Sequence, residues 1–171
     1  MDSLDQRFGK ARVMGGVAHI AAMITDTGAV KQLTDLNMLT IGSRAPEHEA
    51  LTKEFFALCR QADFNSAYSE TIDQVLWDKW VFLATLAGMT TLCRGSVGDI
   101  VSTPYGQELT LAMYEECCSI AKASGHTIGD GPKGKAIEML TKIGSPFTAS
   151  MLRDLISGQK TEHDHILGQM I

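Results

Sequence analysis

The chain has 171 residues, of which 44% are hydrophobic and 20% charged, and its formal net charge is −5. That length suits one domain or two incomplete ones, and the composition is that of a folded globular protein rather than a disordered chain. The acidic balance, with no stripe of Lys or Arg, excludes a surface built for nucleic-acid phosphates.

The longest uncharged apolar run, Trp80 to Cys93, has fourteen residues. A helix needs about 20 to cross a bilayer, so no membrane partner is expected. Met1-Asp2-Ser3-Leu4-Asp5 lacks the basic-then-apolar order of a secretion signal, which points to the cytoplasm. Cys59, Cys93, Cys117 and Cys118 show no CxxC or CxH spacing and stand in apolar stretches, which predicts buried, reduced thiols.

Arg12 to Ile24 is rich in small and β-branched residues and predicts a strand buried on at least one face. Thr25-Asp26-Thr27-Gly28 is a turn signal, and Ala29–Leu33 with Asn37–Gly42 return as one or two strands. Pro46 can open a helix. Leu51, Phe55, Leu58, Cys59 and Ala62 give Glu47–Ala62 one apolar face at three-four spacing. Phe64–Tyr68 reads as a short edge strand.

From Thr71 the pattern is helical. The first helix, about Thr71 to Arg94, is apolar almost all round and belongs in the middle of a bundle. A second is expected from Thr103-Pro104 to Gly125, a third over about Lys133–Ile143, a fourth from Ser145-Pro146 to Gly158 and a fifth near Thr161. The expected fold is therefore mainly α: a helical bundle domain over residues 70–171, preceded by a small α/β segment over residues 1–69. That segment is too small to make a self-sufficient sheet. Ile166, Leu167, Met170 and Ile171 still follow an apolar helical pattern at the last residue. Both features suggest a piece of a larger protein.

Lys79 shares a helical stripe with Leu76, Leu83, Leu86 and Ala87. Such a lysine snorkels, pairs with a carboxylate, or lines a cleft, where desolvation would lower its pKa and suit it to proton transfer. Ser150 and Asp154 are four apart, on one helical face, with Met151, Leu152 and Leu155 packing beneath. After Gly158, Glu162 opens a new helix, where capping the first-turn amides is its structural use. His163-Asp164-His165 is no metal site, because alternate residues on a helix point apart. Gly15-Gly16 and Gly125–Gly134 contain no GxGxxG after a strand, so no cofactor-phosphate site is expected in this chain.

Leu76-Trp77-Asp78-Lys79, Ser150-Met151-Leu152-Arg153-Asp154 with Gly158-x-x-Thr161-Glu162, and Ile166-Leu167-Gly168 together resemble the ketopantoate reductase (2-dehydropantoate 2-reductase) family. The opening Arg7 to Ile20 is similar to the strand after that family's cofactor-contacting loop. The resemblance implies that residues 1–69 are the C-terminal part of a Rossmann-type dinucleotide-binding domain and that the rest is a helical substrate and dimerisation domain. It implies an NADPH-dependent 2-keto acid reductase of pantothenate biosynthesis, and a homodimer. Lys79 would be the general acid, Ser150 and Asp154 would bind substrate, and Glu162 would reach the cofactor; no metal is implied. Family asparagines that contact substrate correspond here to Leu83, Ala87 and Val97, whose apolar side chains cannot hydrogen-bond a hydroxylated acid. The competing expectation is a non-catalytic helical module that dimerises or binds a ligand without a cofactor.

Overall fold

The computed structural model describes residues 1–170. The chain divides into two compact units, Met1–Leu76 and Trp77–Ile171. The observed fold is mainly α, with one three-stranded sheet at its N-terminal end.

In the first unit a short helix, α1 (Asp2–Phe8), precedes the strands β1 (Gly15–Ile24) and β2 (Val30–Gly42). They form an antiparallel hairpin in which Gly15 pairs with Gly42 and Ile24 with Val30, with an irregularity between Ile20 and Ala22. The returning segment, expected as one or two strands, is one continuous strand. A 3₁₀ turn (Pro46–His48) leads into α2 (Glu49–Cys59), and β3 (Asn65–Tyr68) then pairs with β2 in parallel, Met38 against Asn65 and Ile41 against Tyr68. The β2–α2–β3 stretch is thus a parallel crossover, the unit from which Rossmann-type sheets are built.

Arg44, placed just after β2, ties this unit together. Its guanidinium donates to both Asp5 oxygens at 2.6 and 2.9 Å and, through Nε, to Asp73 at 2.7 Å. The Arg44 side chain is only 6% exposed, and a fork of fixed donors suits this two-carboxylate arrangement. The hydrogen bond from Arg44 holds the Asp5 carboxyl below the usual carboxylate range.

The second unit is built around α3 (Ile72–Cys93), most of which belongs to it. Val81, Ala84, Leu86 and Ala87 are all at most 2% exposed. Tyr114, Cys117 and Ala121 pack into the same core from α5 (Gly106–Ala123), Ala136 and Leu140 from α6 (Asp130–Leu140), and Met151 from α7 (Ser150–Ile156). The central position expected of the Lys79 helix is the observed one. Burial of a helix apolar on all sides is what makes a 14-residue uncharged run stable in water.

Several expected boundaries move, each for a local reason. The second helix does not start at Thr103-Pro104. Instead α4 (Val97–Val101) forms first, closed by a capping box in which Ser96 and Asp99 bond reciprocally. Thr103 then ends that turn by donating its hydroxyl to the Ile100 carbonyl at 2.7 Å. The α6 helix starts at Asp130, an acidic first-turn residue that suits the helix dipole. Residues 145–149 are not helical, because their carbonyls serve α4. Val97 N–H donates to Phe147 O at 2.9 Å and Gly98 N–H to Ser145 O at 2.8 Å. Gly98 permits this approach, since a Cβ there would lie 2.6 Å from Ser145 N. The last helix is a single turn, α8 (His163–Ile166).

The thiols are not uniformly buried. Cys59 and Cys117 are, Cys118 is half-buried and Cys93, at the α3 C-terminus, is exposed. Leu155 does not pack beneath Ser150 and Asp154; it is 37% exposed, while Met151 and Leu152 form the buried side of α7. No described helix is long and apolar enough to cross a membrane.

Candidate active site

Lys79 lies in the first turns of the α3 portion that belongs to the helical unit, and it is half-buried. Burial lowers its ammonium below the ordinary lysine value, because a low-dielectric surrounding penalises the charged form. Its neighbours in sequence fix the local frame. The Trp77 ring stacks on His126 with centroids 5.4 Å apart, and Trp77 and Trp80 are 4.8 Å apart. Trp80 Nε1 donates to the Ile166 carbonyl at 3.0 Å. That bond holds α8 against α3 beside the lysine turn.

Glu162 is brought to the same end of the unit. It is the N-cap residue of α8, and its carbonyl accepts from His165 and Ile166 N–H, each at 3.0 Å. It therefore sits one helical turn from the carbonyl that Trp80 holds. Its exposed carboxylate makes no capping hydrogen bond, so the capping use expected of it is not made.

Ser150 occupies the first position of α7 and is exposed, whereas Asp154 is half-buried. The residue before it, Ala149, donates its N–H to Thr90 Oγ1 at 3.4 Å. Thr90 is eleven residues beyond Lys79 and on the same stripe of α3, roughly 16 Å further along at 1.5 Å per residue. The structure thus places Lys79 and Glu162 at one end of the stripe and Ser150 near the other. Between them Phe82, one turn after Lys79, faces Phe147 with near-parallel rings 6.3 Å apart.

Of the three apolar positions singled out in the sequence, Ala87 and Val97 are each 2% exposed and belong to the core. They line no accessible surface of this unit; only half-buried Leu83 does. Sequence reasoning missed Phe82, Phe147 and Trp80 as framing residues. The aromatic at position 82, one turn from the lysine, was the available signal. Phe147 carried none, since it was read as part of a helix.

The strand-to-helix turn of the first unit does not fit a dinucleotide pyrophosphate. Gly42 is closed by the Ser69 carbonyl and Ile72, Pro46 lacks an amide hydrogen, and Arg44 is committed to Asp5 and Asp73. The adjoining cleft, about 490 Å³, also exposes Glu49 and Glu70, which would repel phosphate.

Residues 71–171 match the ketopantoate reductase PanE/ApbA C-terminal family. The chain belongs to that family. It is 26% identical over 174 residues to the uncharacterized oxidoreductase YkpB of Bacillus subtilis, covering 99% of this chain and 56% of that protein. Its fold is similar to that of the 2-dehydropantoate 2-reductase of Geobacter metallireducens, with a TM-score of 0.85, 24% identity, and 99% and 56% of the two chains covered. It is also similar to a D-mandelate dehydrogenase solved with NADH and anilino(oxo)acetate, with a TM-score of 0.82, 18% identity, and 99% and 56% covered. The chain spans a little over half the length of these relatives. The helical domain preceded by a Rossmann-like segment is the architecture that these ketopantoate reductase relatives have.

Proposed function

We propose that this chain is the substrate-side portion of an NADPH-dependent 2-keto acid reductase, with Lys79 as its general acid. The observation that carries the reading is a half-buried lysine, its pKa lowered by burial, on the central helix of a ketopantoate reductase family domain. As a 2-keto acid is reduced, negative charge develops on the ketone oxygen. An ammonium at Lys79 Nζ stabilises that charge and then transfers its proton, becoming the neutral amine. Lowering its pKa strengthens the ammonium as an acid. The Ser150 hydroxyl would donate to the substrate carboxylate or hydroxyl, and Asp154, on the same face, would orient that contact.

The nicotinamide cofactor, held mainly by residues outside this chain, supplies the hydride. Glu162 is the residue assigned here to touch its ribose. Residues 1–69 are read as the C-terminal part of the cofactor domain and residues 70–171 as the substrate and dimerisation domain. The reading includes a homodimer formed through the helical domain, a cytoplasmic location and a place in pantothenate biosynthesis.

The test is NADPH consumption by the full-length polypeptide with a 2-keto acid panel that includes ketopantoate. Lys79→Ala should lower kcat by about a hundredfold or more, the usual scale for a lost general acid. Unchanged kcat would remove Lys79 from the reaction. A full-length protein that binds 2-keto acids but consumes no NADPH would favour the second reading, a ligand-binding or dimerisation module. That reading has support in the poor fit of the first unit's turn to a cofactor phosphate.

A further inference from the structure

We infer that Trp80 is a positioning residue: its indole N–H, bonded to the Ile166 carbonyl, sets where Glu162 meets the cofactor relative to Lys79. The inference rests on the roles of Lys79 and Glu162 just proposed. Two hydrogen bonds on one residue carry it. The Ile166 carbonyl accepts from Trp80 Nε1, and the Ile166 N–H donates to the Glu162 carbonyl, each at 3.0 Å. Indole, Ile166 and the Glu162 backbone thus form a continuous relay. Its fixed end adjoins Lys79, about 1.5 Å further along the helix axis and about 100° around it.

The chain that delivers Glu162 is irregular. The helix α7 ends at Gly158, whose φ is 69°, and Gln159 N–H closes it on the Asp154 carbonyl at 2.8 Å. Residues 159–162 then adopt no regular structure. The helix that Glu162 opens has only four residues, and a single turn does not persist in water unaided. Carbonyls of a last helical turn have no partner within the helix. The indole supplies one to Ile166 from α3.

Ile166 and Leu167 also pack on the core, and Met170 is buried in it. Apolar packing has no direction, so it tolerates a small slide or rotation of the turn. A hydrogen bond weakens steeply when its angle is lost, so it does not. The donor itself is held by ring packing, since Trp80 lies 4.8 Å from Trp77, which stacks on His126. The exposed Glu162 carboxylate, unused as a cap, is therefore presented in a set place before a ligand arrives, and such preorganisation favours binding.

Calorimetric titration of the full-length polypeptide with NADPH tests the inference. Trp80→Phe keeps a ring in the core and removes only the donor. It should weaken NADPH about fivefold, the scale of one lost hydrogen bond, while 2-keto acid affinity and the basic limb of the kcat pH profile, which reports Lys79, stay in place. Glu162→Ala should weaken NADPH about tenfold or more, because its bonds involve a charged group. Adding Trp80→Phe to Glu162→Ala should then cost nothing further, since the two act as one unit. A merely destabilised domain would weaken NADPH in both backgrounds, so thermal melts of each variant accompany the titrations. Unchanged NADPH affinity in Trp80→Phe, or losses that multiply in the double variant, would overturn the inference and leave the reductase reading standing. Parental NADPH affinity in Glu162→Ala would overturn the assignment of Glu162 and the positioning role with it.

Discussion

The helices α2 and α3 obey the same periodicity rule and end in opposite environments. On α3 the apolar residues Val81, Ala84, Leu86 and Ala87 disappear into the core of their own unit. On α2 the apolar face read from the sequence is mostly exposed: Leu51, Phe55 and Leu58 are 55%, 42% and 64% exposed, and of that face only Cys59 is buried, together with Thr52. The hairpin of the first unit likewise leaves Ile24 and Val30 72% and 76% exposed. Amphipathicity tells which face seeks a partner, not whether that partner lies in the same unit. The helical unit supplies a partner for most of α3, although Leu92, Ile143 and Ile156 stay 80%, 85% and 71% exposed; the α/β unit leaves apolar surface of a kind that in parallel sheets is normally covered on both faces.

Substitutions at matched positions would sharpen or break that contrast. Leu86→Ala removes a side chain only 2% exposed and should destabilise the helical unit by about 3 kcal/mol in denaturant titrations. A loss below about 1 kcal/mol would mean that its core is not closed. Gly98→Ala forces residues 144–145 away from α4 and should cost about 2 kcal/mol, with weaker substrate binding because the segment leading into Ser150 moves with them.

In the α/β unit, the comparable loss should come from charge rather than packing. Arg44→Met breaks a buried two-carboxylate clamp and should destabilise that unit by about 2 kcal/mol, a modest value because Asp73 is 38% exposed. The clamp also gives a sign for acid. Asp5 titrates below its unfolded value, so its contribution is present above the ordinary carboxylate pKa and is lost as pH falls through the folded one. The stability of the first unit should therefore decline as pH falls through that window, and Arg44→Met, which is less stable at neutral pH, should show a flatter dependence on acid. The smallest effect is expected at Leu58→Ala, within about 0.5 kcal/mol in this chain, because its side chain is already in water. A loss comparable to that of Leu86→Ala would show that the α2 face is covered after all.

The same contrast explains what was legible in the sequence. The α3 helix was readable because burial, length and periodicity agree over 22 residues. So was the β1–turn–β2 hairpin, whose Thr25–Gly28 turn is local chemistry. Helix starts at positions 103 and 145 were misread because tertiary hydrogen bonds decide them. Val97 and Gly98 recruit the Phe147 and Ser145 carbonyls from nearly fifty residues away, and no local pattern reports that. The Arg44 clamp was invisible for the same reason, since Asp5 and Asp73 lie 39 and 29 residues from it. Lys79 stood out because a cation in an apolar stripe conflicts with its surroundings, and such conflicts are where function tends to sit. Phe147 conflicts with nothing in the sequence, so only the structure brings it to Phe82.

The most direct test of the central claim is the pH profile of kcat for 2-keto acid reduction by the full-length polypeptide, with and without Lys79. A general acid must be protonated, so the rate should fall as pH rises through the Lys79 pKa. The account predicts a basic limb centred below the ordinary lysine value of about 10.4, and a Lys79→Ala enzyme that is slow and has lost that limb. A limb that persists unchanged in Lys79→Ala, at undiminished kcat, would contradict it.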